Sequence, residues 1–330
     1  MGKGGLYAIG AIILIIIGSL LLRFELPVVS VSAEHLPGWN IGGLPITNSY
    51  LTSWVVTIII IVVAFVGTRN MQLIPSGLQN IIEIIVETLY NLTESVSGRE
   101  WVGRFFIIPT TIFIYVLVSN WFGLLPGLAG IGLCAAHHGE GEEVHVAEEA
   151  EAHEETGFTL GNTCAEGEEI IPFFRSPSAD LNNTLMLAVV TQIAAQVFGF
   201  MALGVGGYLG KFFIFDGITA AFKPDAHGNK RSLGGMIGQL ALGIIDFFVG
   251  LLEGLSEFIK IVAFTFRLFG NIFAGEVMLI VLTFLVPLVL TIPFLGFEVF
   301  VGLVQAFIFF ILSVAFYTVA VTSHEHEEGH

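Results

Sequence analysis

The sequence predicts an all-α, polytopic membrane protein with about six membrane-crossing helices and one amphipathic helix lying at a surface. Two observations carry this. Of 330 residues, 55% are hydrophobic and only 12% charged, with a mean hydropathy of +0.86, where a soluble domain carries about 25% charged residues. The apolar residues also stand in long uninterrupted blocks, as a lipid solvent demands. The net charge of −16 does not argue against this, because it is local. Eleven glutamates lie between Glu140 and Glu169, which leaves the apolar remainder nearly neutral.

The elements follow in chain order. An apolar run from Leu6 to Leu22 lies between Lys3 and Arg23. No small-x-small cleavage site follows it closely, so a retained signal anchor fits better than a cleaved signal peptide. Residues 23–49 are polar and rich in Pro, Gly and Asn, and complete an N-terminal segment, 1–49. The membrane domain is expected over 50–322, beginning with a second spanning run from Leu51 to Val66. Over 76–96, apolar Leu78, Ile81, Ile82, Ile85, Leu89 and Leu92 alternate at helical spacing with Gln79, Asn80, Glu83, Glu87, Asn91 and Glu94. That pattern is the amphipathic helix, suited to a membrane interface or a partner. A third span covers Phe105 to Leu125.

An acidic, histidine-containing insertion occupies about 128–177, and a fourth span runs from Leu181 to Leu209. A short basic loop with Lys211, Lys223, Lys230 and Arg231 follows. From Ile237 to Val286 there is no proline; about 50 helical residues measure ~75 Å, over twice the ~30 Å hydrocarbon core. The segment is either a hairpin of two spans or one steeply tilted helix. A last span, Pro287 to Val321, leads into a polar tail, 323–330. With the N-terminus inside, most basic residues fall on the cytoplasmic side and only Arg23 and Arg175 fall outside, which makes the acidic insertion external. Cys134 and Cys164 bracket that insertion, as one loop-closing disulfide or as two free thiols.

Ionisable groups inside a bilayer are costly and usually face a wet or protein-lined interior. Here they cluster: Asp246, Glu253, Glu257, Lys260, Arg267 and Glu276 in the long segment, and Glu298 with Gln305 in the last. Glu253, Ser256, Lys260, Arg267 and Asn271 share a stripe, with Asp246 near it, whereas Glu276 faces the other way and lies ~13.5 Å beyond Arg267. Asp180, Thr184 and Thr191 share a face of the fourth span, and Asn120 sits deep in the third. Any one of these groups is best read as a structural hydrogen bond; the set together favours an ion path. A guanidinium stays protonated, so Arg267 cannot relay protons, but it attracts a carboxylate that has lost one and blocks a passing cation.

The run Phe266-Arg267-Leu268-Phe269-Gly270-Asn271-Ile272-Phe273-Ala274-Gly275-Glu276 closely resembles the signature of the ATP synthase subunit a family. In the family's order, Asn120-Trp121-Phe122-Gly123-Leu124-Leu125-Pro126, Pro177-Ser178-Ala179-Asp180-Leu181-Asn182-Asn183-Thr184 and Gln305-Ala306-Phe307-Ile308-Phe309 resemble its other conserved stretches. The resemblance covers roughly 50–320. It implies that Arg267 faces a rotating c-ring, and that Glu276, Glu298, Gln305, Asn120 and Asp180 line a half-channel from the outer compartment. It also implies that Glu253, Ser256 and Lys260, with Asp246, lie near an inner half-channel, with Asn271 beside the arginine in the signature. The long segment becomes one tilted helix along the ring.

Partners implied by the resemblance are the c-ring, peripheral-stalk b subunits, lipid and protons, in a bacterial cell membrane. No phosphate-binding loop is present, so nucleotide chemistry belongs to other subunits; no cofactor and no nucleic acid is expected. Many relatives pair one acid with one histidine where this chain has Glu276 and Glu298; two carboxylates can share one proton instead. His137, His138, His145 and His153 stand amid glutamates and could bind a divalent metal, although a solvated acidic loop is the preferred reading. A stand-alone transporter and a structural scaffold are the rival functions.

Overall fold

The computed structural model describes residues 33–41, 44–125, 127–128, 131–136, 158–160, 168–212, 233–286 and 289–322. The N-terminal apolar run, the four insertion histidines, Cys164, Lys223, Lys230, Arg231 and the C-terminal tail lie outside the described residues. Six helices make up most of the described chain: α1 (Asn48–Thr68), α2 (Leu78–Phe105), α3 (Ile107–Gly123), α4 (Leu181–Phe212), α5 (Leu233–Leu285) and α6 (Thr291–Val321). Four of them, α1, α4, α5 and α6, are long and apolar enough to cross a membrane, and the bent pair α2–α3 makes a fifth if counted as one span. The sixth expected crossing, residues 6–22, is not among those described.

Each helix begins and ends where its residues dictate. Thr47, extended at φ −90° and ψ 156°, caps α1 by accepting the backbone N–H of Tyr50 at 3.3 Å. The other end of α1 turns large apolar side chains outward, with Ile61 and Phe65 61% and 63% exposed, a surface suited to lipid or to an apolar partner. The amphipathic expectation for 76–96 is met by α2, which continues to Phe105 only across a kink at Gly98, where φ is +75°. The axis then bends by 92° into α3. The expected third span is therefore shorter than its apolar run: Pro109 has no N–H to carry the helical ladder back across the bend and is tolerated only because it falls in the first turn. Asp180 starts α4, its Oδ1 accepting the N–H of Asn182 at 2.9 Å after a 3₁₀ turn at Pro177–Ala179.

The 53 residues of α5 form one helix, not a hairpin. Glycine 204, inside α4, has φ +70°, a region closed to residues with a Cβ, and it redirects the last eight residues of that helix. Tyr208 consequently lies back over Gly199 and Phe200, and a side chain at Gly199 would collide with its ring.

The segments read as polar loops hold short strands. A β1–β2 hairpin (His35–Ile41, Leu44–Thr47) precedes α1, and the insertion contains an antiparallel three-stranded sheet in the order β4-β3-β5 (Phe158–Leu160, Ile131–Ala136, Glu168–Pro172). Cys134, on the central strand, is disulfide-bonded, which decides against free thiols.

By packing, the chain forms two compact units. The first comprises the described parts of Met1–Glu83, Ile112–Thr184 and Phe266–Ile308; its interior holds Val56, Val116 and Leu268 among many small polar residues, including Asn48, Thr52, Ser119 and Ser178. The second comprises those of Ile84–Thr111, Leu185–Thr265 and Phe309–His330 and is centred on an aromatic core, with Phe105, Phe198 and Tyr317 mutually in ring contact.

Candidate functional site

Each unit carries its own polar cluster. In the first, Arg175 leaves β5, is 6% exposed, and sets its Nε at 3.3 Å from both carboxylate oxygens of Glu276. Glu298 is buried on α6, with its carboxylate packed over Gly275, so closely that a Cβ there would strike it. Glycine at 275 thus brings the second acid beside the residue that precedes Glu276. Asn120 is buried and donates its Nδ2 to the carbonyl of Gly302 at 3.2 Å. Asp180 accepts the hydroxyl of Ser49 at 2.5 Å, and Tyr115 donates to Ser53 (3.1 Å) and Asn183 (3.3 Å). Asn48 Nδ2, Ser119 Oγ, Asn120 Oδ1 and Ser178 Oγ are buried without a hydrogen bond among the described residues. Buried polar atoms seldom go unpaired, so four in one unit call for water.

In the second unit Glu257 is the hub. It accepts from Lys260 Nζ at 2.5 Å, from Gln196 Nε2 at 3.0 Å and from Gln192 Nε2. The redirected end of α4 extends this network, since Tyr208 donates to Gln196 Oε1 at 2.5 Å. A small polar recess is lined by Tyr208, Lys211, Glu253, Glu257, Lys260 and Phe316. Lys211 was expected in a solvated basic loop. Instead it is 9% exposed, with Nζ bound to the carbonyls of Ala320 (3.2 Å) and Thr322 (2.6 Å) at the C-terminus of α6, where a cation satisfies orphan acceptors and opposes the helix dipole. Ser256 spends its hydroxyl on its own helix, donating to the Glu253 carbonyl at 2.7 Å.

Arg267 differs from all of these. It is exposed on α5, and among the described residues it makes no hydrogen bond and no ion pair. Its neighbour Phe266 is also exposed, as are Phe258, Ile259 and Val262 earlier in the helix. A permanent cation therefore stands exposed on a helix whose other exposed residues are mostly apolar. Asn271 is likewise exposed, and Asn271, Gln305 and Asp246 have no side-chain hydrogen bond among the described residues.

The family model described as "ATP synthase A chain" matches residues 50–318. The chain belongs to that family. It is also similar to a protein named ATP synthase subunit a from Moorella thermoacetica, at 24% identity over 286 residues, covering 87% of this chain and 96% of that protein. Membership makes it a multi-pass, membrane-sector subunit of ATP synthase that works alongside the other subunits of that assembly.

Within this A-chain framework, the structure gathers Glu276 and Glu298 in one unit and Glu253 and Lys260 in the other. Several polar residues escaped the sequence reading. Arg175 was assigned to the outside as a topology marker, but it is buried on Glu276. Its signal was its place two residues before the Pro177-Ser178-Ala179-Asp180 motif. Gln192 was legible beside the polar face of the fourth span; Gln196, four residues on and so on the same side of α4, was not picked out. Nothing local marks Tyr208, because its contact with Gln196 spans twelve residues of a helix that a glycine breaks. Tyr208→Phe should cost about 1 kcal/mol, the usual net value of one such hydrogen bond, readable as a small drop in thermal stability of the detergent-solubilised complex. The insertion histidines lie outside the described residues, and among those described no group of three or more ligating side chains could hold a metal.

Proposed function

We propose that this chain is the stator subunit that passes protons to and from a rotating c-ring, through two aqueous half-channels kept apart by Arg267. The observation that carries this is the guanidinium on an exposed face of α5, which has no hydrogen bond or ion pair among the described residues. A cation at the bilayer centre costs about 3 kcal/mol or more when left alone. A ring of carboxylate-bearing helices passing that face supplies the counter-charge, and only a carboxylate that has just released its proton pairs fully with it. The guanidinium keeps its own proton, so it does not conduct.

Protons then enter from the outer compartment by Glu298 and Glu276, with Asn120, Asp180 and Gln305 along the approach. They ride the ring and leave by an inner path near Glu253, Ser256, Lys260 and Asp246. Unpaired polar atoms around Asn120 support a hydrated outer path, and the Glu257-centred network with its recess supports a polar inner one. The length of α5, with Asn271 beside Arg267, suits a tilted helix along the ring. The disulfide at Cys134 supports an external insertion, since such bonds persist in oxidising compartments. A bacterial cell membrane and contact with peripheral-stalk b subunits complete this reading.

The decisive experiment is purification of the chain from its own membrane in mild detergent. A ring of small hydrophobic subunits and a peripheral stalk should co-purify with it. Isolation of the chain alone, active in ion transport, would instead favour the stand-alone transporter. Synthesis measured with and without sodium then decides which ion is coupled.

A further inference from the structure

Arg175 has no assigned role in the path just described, yet it is the most constrained charge in its unit. Its backbone N–H donates to the buried Thr52 Oγ1 at 3.2 Å. Just before it, the N–H of Phe173 donates to the carbonyl of Ile131 at 3.0 Å, and the Phe174 ring meets Phe122 edge-on at 5.8 Å. Just after it, Ser176 is bonded to the Ser119 carbonyl at 3.5 Å and is held extended before Pro177. The segment is thus fastened to a strand and to two helices on either side of the arginine. The guanidinium meets Glu276 through Nε, midway between the two carboxylate oxygens.

We propose that Arg175 is a positioning residue of the proton path: a second permanent cation that holds the Glu276 carboxylate in its proton-accepting form and so sets the outer pH at which it loads. This rests on reading Glu276 as a proton carrier. Two charged groups act on Glu276, Arg175 from the β5–α4 connection and Glu34 from the segment before β1, while the Glu298 carboxylate of α6 packs over the adjoining Gly275. When Glu276 takes up a proton, its attraction for Arg175 falls away. A cation that cannot titrate favours the charged carboxylate whenever the proton has left, and so resets the site after each transfer.

The test uses the complete ATP synthase carrying Arg175→Gln, reconstituted in phospholipid vesicles with the outer face of this subunit toward the lumen. Initial synthesis rate is measured against lumenal pH at fixed external pH and membrane potential. Removing the cation should move the half-maximal lumenal pH upward by about one unit or more, the scale on which a neighbouring guanidinium acts on a carboxylate. Arg175→Lys, which keeps the charge, should hold the original midpoint. A purely structural tie predicts less assembled complex with an unmoved profile, and that result overturns the proposal. If Arg175→Gln does not assemble, Arg175→Lys decides: a midpoint displaced by a full unit in assembled enzyme counts against it, and a coincident one supports it. Glu276→Gln separates the two readings. If that variant conducts normally, the carrier role itself fails; if it is inactive while the Arg175→Gln profile is unmoved, only the role of Arg175 fails.

Discussion

Replacing Arg267 with alanine should abolish proton-driven ATP synthesis while leaving the complex assembled. The side chain makes no hydrogen bond or ion pair among the described residues, so its removal breaks no internal contact of the fold. It also takes a charge off an apolar, exposed helix face, which can only ease residence in lipid. Function is expected to fail because two polar paths would no longer be divided by a fixed cation. Protons could then cross without turning the ring, so vesicles bearing the variant should leak protons passively once the soluble sector is stripped off. Arg267→Lys should not restore coupling, since a lysine can lose its charge in a low-dielectric site and a guanidinium does not. Wild-type rates of synthesis in the alanine variant would refute the proposed function.

The second large effect is expected at Glu276. Glu276→Gln keeps the shape and one acceptor oxygen for Arg175 but cannot carry a proton. Synthesis should fall by about a hundredfold or more, the usual loss when a positioned proton-transfer group is removed. Assembly should suffer moderately as well, because the buried Arg175 loses an ion pair. Glu298→Gln changes the same property at a residue that has no ion pair among the described residues, so it should reduce transport with less effect on stability. Rates of proton pumping, set against the yield of intact complex, measure the two effects separately. If both glutamine variants transport at wild-type rates, the scaffold reading is the better one.

Legibility from the sequence followed the range of the interactions. The spans of α1, α4, α5 and α6 were readable because lipid imposes one requirement on every residue of a crossing helix, and composition reports it directly. The amphipathic α2 was readable for the related reason that its polar and apolar residues alternate at helical period. Strands β1 to β5 were not legible, being short and lying in segments whose composition reads as polar loop. Lys211 was misplaced because charge alone put it in a solvated loop. Its partners are the last carbonyls of α6, more than a hundred residues away.

The amino-acid sequence by itself determined that this chain lives in a membrane, where its helices begin, and that Arg267 is a costly charge in an apolar helix that needs a reason to be there. Those properties are set locally, by hydropathy, capping and the unchangeable protonation of a guanidinium. Only the tertiary structure decided that α5 is one helix, that Cys134 is bonded, and which acid meets which base. It gave Glu276 to Arg175, and Glu257 to Lys260 and two glutamines. It left Arg267 without a hydrogen bond or ion pair among the described residues. Pairings of that kind depend on how distant segments pack, through glycines that let backbones approach and one that reverses a helix, and no local pattern of residues encodes them.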